Sequence, residues 1–129
     1  MSAEGGAHTM SFREHLQDVC KGLEGAVACS LMGIDGIEVD THLSAEAGDV
    51  DLKNLLVEYS SVFRSAREAA DVHLAGGISE VSINTDKLVT VARLVSPDYF
   101  MIVAMKPEGN YGKARYLLRI TAPKVNAEL

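Results

Sequence analysis

The stretch VACSLMGIDGIEVDTHL, residues 27–43, does most to decide the fold class of this chain. Its first half is a short, largely apolar run bounded by glycines, which is typical of a buried strand. Asp35-Gly36 follows, and apolar and polar residues then alternate from Ile37 to Asp40, as in a strand with one buried face. Two such segments joined by Asp-Gly predict a β-hairpin over about 27–43.

A helix is predicted before the hairpin. Apolar residues between Phe12 and Leu23 recur with the spacing of one helical face, which indicates a helix over about 11–24. Ser11 and Glu14 have the spacing of a capping box at its start, and the glycines near its end favour termination.

A longer helix is predicted after the hairpin. Asp51 can cap it, and the helical period continues from Leu52 for about 23 residues. Gly76-Gly77 is predicted to end this helix, because glycine accepts the left-handed conformation at low cost.

The rest of the chain predicts a meander and a final helix. Three β-rich segments, 80–84, 88–95 and 99–105, are separated by short turns and therefore pair antiparallel. A last helix is predicted over about 111–120, with Pro123 ending or kinking it. Segregated strands and helices make an α+β domain rather than a parallel βαβ sheet.

Composition excludes several classes of partner. The 129 residues carry a formal net charge of −6, whereas nucleic acid and anionic membranes attract clustered positive charge. Residues 1–10 are rich in small residues and predict a flexible leader without the pattern of a signal peptide. We therefore expect a cytoplasmic protein in which Cys20 and Cys29 are reduced.

Three segments resemble the roadblock family of dynein light chain type, in particular its bacterial MglB-like members. They are ACSLMGIDGI at 28–37, GGISEV at 76–81 and GNYGKAR at 109–115. The resemblance covers about 11–125 and implies a roadblock/profilin-like antiparallel sheet of order 2-1-5-4-3, with one long helix on one face and two helices on the other. It also implies a non-enzymatic homodimer, joined by its third strands and long helices, that binds a Ras-like small GTPase and modulates its switch state or hydrolysis, or acts as a scaffold.

The residues themselves favour the same dimer. Strand 80–84 contains no proline, and as an edge strand it would expose unpaired backbone groups. Small residues at i, i+4 and i+8 on the long helix would let two helices approach closely, although a solvated helix back is the alternative interpretation. The predicted dimer interface comprises Ser61, Ser65, Ala69, Glu80, Val81, Ser82, Ile83 and Asn84.

The GTPase is expected to contact the exposed side of the long helix. The predicted contacts are Val57, Ser61, Arg64 and Glu68. Helical spacing directs Arg64 outward, where it can pair with Glu68, and no arginine is assigned a catalytic role.

Enzyme chemistry finds little support in the motifs. The segment 109–113 has neither the glycine spacing nor the hydroxyl of a phosphate-binding loop, and it predicts a helix start instead. No pair of histidines has metal-ligand spacing, and both cysteines fall in apolar segments. We therefore expect no catalytic residue, cofactor or metal. A small-molecule sensor or enzyme remains the second hypothesis, and a closed pocket holding a histidine or buried carboxylates would favour it.

Overall fold

The computed structural model describes residues 11–129, so the predicted leader at 1–10 lies outside the described part of the chain. The elements, in chain order, are α1 (Phe12–Lys21), β1 (Ala26–Gly33), β2 (Glu38–Leu43), α2 (Leu52–Val72), β3 (Glu80–Asn84), β4 (Val89–Ser96), β5 (Tyr99–Met105) and α3 (Tyr111–Asn126). Within residues 11–129, no helix is both long and apolar enough to cross a membrane.

The five strands form one antiparallel sheet of order β2-β1-β5-β4-β3, which confirms the predicted α+β fold class. β1 is buried along its whole length, and β5 is buried apart from its first residue, because both strands are covered on two faces. β2 and β3 lie at the two edges of the sheet.

Two apolar cores lie on opposite faces of the sheet. α1 and α3 cover one face, where Leu16 and Leu118 are fully buried. α2 covers the other face, where Phe63 stacks on Phe100 with ring centroids 4.8 Å apart. This is the predicted distribution of one long helix against two helices.

The β1–β2 turn is longer than a two-residue Asp-Gly turn. The carbonyl of Gly33 accepts from the amide of Gly36 at 2.9 Å, and the amide of Gly33 donates to Ile37 at 2.8 Å. Gly36 has a φ of 91°, whereas Asp35 is not in the left-handed region. A three-residue loop with a left-handed glycine at its end explains this geometry.

Two predicted helix ends, those of α2 and α3, need correction. α2 ends at Val72, and the left-handed residue that closes it is Leu74, with a φ of 59°, rather than a glycine of Gly76-Gly77. The amide of Ala75 donates to Ala70 at 2.8 Å and that of Leu74 to Asp71 at 3.2 Å, which completes a Schellman motif.

α3 passes through Pro123 and ends at Asn126, so the prediction that it ends near residue 120 is wrong. Proline removes one intrahelical donor, but the helix continues because Ala122 and Val125 are buried against the sheet and α1. Pro123 itself faces solvent, where water can reach the unpaired carbonyl one turn earlier.

Candidate interaction surfaces

The outer side of α2 carries the predicted ridge of small residues. Ser61, Ser65 and Ala69 are all exposed, and none of them faces the interior of its own chain. Val62 lies beside this ridge and is 45% exposed. The small-residue ridge, Ser61–Ser65–Ala69, is therefore available to a second helix.

β3 offers an open backbone edge. It pairs with β4 on one side, and no other described strand borders its outer side. Val81 and Ile83 are half-buried, whereas Ser82 and Asn84 are exposed. An unpaired edge of this kind is a template for pairing with another strand.

Two of the predicted β3 interface side chains bind within their own chain. The carboxylate of Glu80 lies 3.4 Å from the guanidinium of Arg93 and 2.5 Å from that of Arg115. The hydroxyls of Ser82 and Tyr111 are 3.0 Å apart. What β3 can still offer to a second copy is chiefly its backbone, since these side chains turn toward α3.

We predicted that Arg64 points outward, but the structure places its guanidinium against its own chain. It is half-buried, and its Nη1 donates to the carbonyl of Ile34 at 2.7 Å. Arg67 donates in the same way to the carbonyl of Pro97. At 100° per residue both arginines lie on the flank of α2 that faces the β1–β2 and β4–β5 turns, and a long side chain reaches those carbonyls. The two guanidinium groups therefore tether α2 to the turns.

The remaining predicted partner contacts are exposed on α2. Val57 is 40% exposed, and Glu68 lies on the solvent side of the helix. Arg64 contacts Ile34 rather than Glu68, with which its helical spacing would also allow a pair, because its guanidinium turns toward the β1–β2 turn.

An apolar groove of about 460 Å³ lies between β2 and the first half of α2. Glu38 and Thr41 contribute polar groups to it, but Glu38 is exposed and no histidine lines the groove. The groove therefore lacks the histidine or buried carboxylate that would favour the small-molecule hypothesis. Its lining residues are Met32, Glu38, Thr41, Leu43, Leu52, Lys53, Leu56 and Val57.

The two cysteines and the 109–113 segment, which we considered as candidates for catalysis, have structural roles. Burial raises the pKa of the Cys29 thiol well above its usual value and also raises the pKa of Cys20, so both thiols stay protonated. The side chain of Asn110 accepts from the amide of Lys113 at 2.9 Å and caps α3. Across residues 11–129 there is no group of three or more potential metal ligands.

The sequence contained a signal for one contact that we did not predict. Glu80 and Arg93 are direct cross-strand partners, and residues equally distant from the 85–88 turn must pair. No comparable signal exists for the tethers of Arg64 and Arg67, because they depend on where α2 crosses the sheet.

The sheet order and the placement of the three helices are those of a roadblock/profilin-like fold. No protein-family model and no curated protein matches the sequence. Among solved structures, a Roadblock/LC7 domain from Streptomyces avermitilis is 13% identical with a TM-score of 0.79, covering 92% of this chain and 98% of that chain. MglB from Thermus thermophilus, a gliding protein, is 11% identical with a TM-score of 0.77, covering 89% and 85%. At these identities the likeness concerns the fold alone.

MglC from Myxococcus xanthus has a much more similar sequence. It is 53% identical, the match covers 93% of this chain and 100% of that chain, and the TM-score is 0.68. The chain belongs to the roadblock family, as a relative of MglC.

Proposed function

We propose that this chain is a non-enzymatic regulator that forms a homodimer and binds a Ras-like small GTPase through the exposed side of α2. The observation that carries the proposal is the exposed small-residue ridge on α2 together with the open edge of β3. A surface that carries both features can pair with a second copy of itself about a two-fold axis.

Pairing of two β3 strands would satisfy the backbone groups that the edge leaves open and join two sheets into one. The two α2 helices would then lie side by side on the same face of that sheet. Ser61, Ser65 and Ala69 allow close approach, and Val62 adds apolar area that a partner would bury. Assembly in the family supports this step, because one MglB structure is described as a tetrameric arrangement.

The proposed GTPase contacts are Val57, Ser61, Glu68 and the aliphatic part of Arg64. Because the guanidinium groups of Arg64 and Arg67 bind backbone carbonyls of their own chain, neither is free to enter a GTPase site. We therefore infer that any change in hydrolysis arises from contacts that shift the GTPase's own switch regions, and not from an inserted arginine.

The experiment is GTP hydrolysis by a Ras-like GTPase encoded beside this gene, measured with and without the chain and paired with a binding titration. Val57→Asp should weaken binding, because it places a charge at an exposed apolar contact. Asn126→Asp, exposed on α3 at the opposite face of the sheet, is the matched control. Absence of binding to the GTPase in either nucleotide state would refute the proposal.

A dimeric scaffold without effect on hydrolysis is the second candidate. The tethered arginines favour it over an activator that supplies an arginine to the GTPase. The same titration separates the two candidates, since a scaffold binds the GTPase and leaves the hydrolysis rate unchanged.

A further inference from the structure

A second surface lies on the other face of the sheet, over β3 and the first half of α3. We name it the arginine surface and define it by Arg93, Arg115 and Arg119 together with Tyr111 and Tyr116. These arginines, Tyr116 and Glu80 line a shallow cavity of about 340 Å³. α2 packs on the opposite face, so this surface is separate from the proposed GTPase site.

The arginine surface is held in place by contacts within the chain. Glu80 binds both Arg93 and Arg115, and the hydroxyl of Tyr111 meets that of Ser82. These contacts fix the start of α3 against the edge strand. Ordered side chains lose less entropy when a ligand binds, which favours recognition by such a surface.

Positive charge remains after these internal pairs are formed. Three arginines face one glutamate in the cavity, whereas the whole chain has a net charge of −6. Arg119 has no carboxylate partner among the described residues, and its guanidinium carbon lies 5.6 Å from the ring centre of Tyr116. Arg115 lies similarly over Tyr111 at 5.7 Å. A positive site on an acidic protein is complementary to a negatively charged ligand.

Apolar side chains accompany this charge on α3. Tyr111 is 38% exposed, Tyr116 is 51% exposed and Ile120 is 38% exposed. Tyr116 and Ile120 are one helical turn apart, beside the row formed by Arg115 and Arg119. Exposed tyrosine and arginine side by side are the composition of protein-interface centres rather than of ordinary solvated surface.

We propose that the arginine surface is a docking site for an acidic peptide segment of a partner protein, with glutamate or aspartate bound by Arg115 and Arg119 and an apolar side chain packed on Tyr116 and Ile120. Charge complementarity favours an acidic ligand. The exposed side chains of Tyr116 and Ile120 favour a peptide over a small anion, because a peptide can also bury an apolar side chain on them. The site is complete within one protomer, so its function does not require the proposed dimer or the GTPase. The protein could then hold two partners on opposite faces of its sheet.

The test is fluorescence anisotropy of the full chain with a labelled acidic peptide in which pairs of glutamates alternate with leucine. The control peptide carries glutamine in place of every glutamate. Arg119→Glu should weaken binding of the acidic peptide about tenfold, because one attraction becomes a repulsion. Lys53→Glu makes the same charge change at an exposed position of α2 and should alter binding less than about twofold. Circular dichroism confirms that both variants are folded.

Tyr116→Ser tests the apolar contact and should lower the affinity for the acidic peptide without changing the salt dependence of binding. Equal binding of the glutamine peptide, or equal losses in Arg119→Glu and Lys53→Glu, would overturn the proposal. No binding of the acidic peptide would also overturn it. Displacement of the peptide by an equal concentration of inorganic phosphate would show a small-anion site instead.

Discussion

Replacing Arg64 by alanine tests whether this arginine is a structural tether or a catalytic group. Its Nη1 donates to the carbonyl of Ile34 at 2.7 Å from a half-buried position on α2. The tether interpretation predicts a less stable protein that, once folded, loses at most some affinity for its GTPase and keeps any effect on hydrolysis when the GTPase is saturated. A catalytic interpretation predicts a stable protein that fails to stimulate hydrolysis.

The expected loss of stability can be estimated from this contact. A hydrogen bond with a charged donor contributes about 1.5–3 kcal/mol when buried, and partial exposure of Arg64 lowers this to about 1.5 kcal/mol. With a urea slope of about 1.5 kcal/mol per molar, the unfolding midpoint should fall by about 1 M.

Urea unfolding, followed by circular dichroism, gives the midpoint of each variant. Lys53→Ala, exposed on the same helix and outside the proposed GTPase contacts, is the matched control and should change stability by less than about 0.5 kcal/mol. Hydrolysis is then measured in buffer without urea, where both variants remain folded.

Two results would refute the tether interpretation. One is an Arg64→Ala midpoint equal to that of the wild type. The other is a folded Arg64→Ala protein that binds the GTPase normally but has lost an effect on hydrolysis that Lys53→Ala retains.

Three further predictions concern stability. Leu74→Gly should stabilise the chain by about 1 kcal/mol in thermal unfolding, because Leu74 is left-handed and 92% exposed; a loss of stability would mean that this leucine makes a contact, for example with a second copy. Thr90→Val should raise stability by about 1 kcal/mol, because the buried Thr90 hydroxyl has no hydrogen-bond partner within residues 11–129; destabilisation in urea would contradict this. Because burial raises the pKa of Cys29, the unfolded chain releases this proton first as the pH rises, so stability should fall above about pH 9 by about 1.4 kcal/mol per pH unit. Cys29→Ala should reduce that slope, and an unchanged slope would contradict the assignment.

The order of elements was predictable because each one has a strong local signal. Alternation located β3 at 80–84, and a nearly continuous apolar run after a turn located β5 at 99–105, as the structure has them. The capping box also formed as predicted, with the amide of Ser11 donating to Glu14 at 2.8 Å and the amide of Glu14 to Ser11 at 3.3 Å.

Helix ends were less predictable because they depend on tertiary contacts. A proline near the predicted end of a helix usually stops the helix. In α3 the helix continues beyond Pro123 because Val125 is buried in the core. The end of α2 was misplaced for a related reason, since a non-glycine residue, Leu74, adopts the left-handed conformation that glycine prefers.

Candidate surfaces were only partly predictable, because helical angle gives the direction of a Cα–Cβ bond and not the path of a long side chain. Short residues such as Ser61 and Ser65 are exposed where the angle placed them. The Cα–Cβ bond of Arg64 also points outward. Its side chain has four rotatable bonds, however, and these let the guanidinium reach the carbonyl of Ile34 on the β1–β2 turn.

The most direct test of the proposed dimer is sedimentation velocity of the wild-type chain and of Ser65→Arg at tens of micromolar. It shows whether a second copy binds at the small-residue ridge and the β3 edge. We predict a wild-type species of twice the 13.8 kDa chain mass, and a shift toward monomer when a long charged side chain is placed at the centre of the ridge. A wild-type monomer at that concentration, or a dimer that Ser65→Arg leaves intact, would contradict the proposed interface.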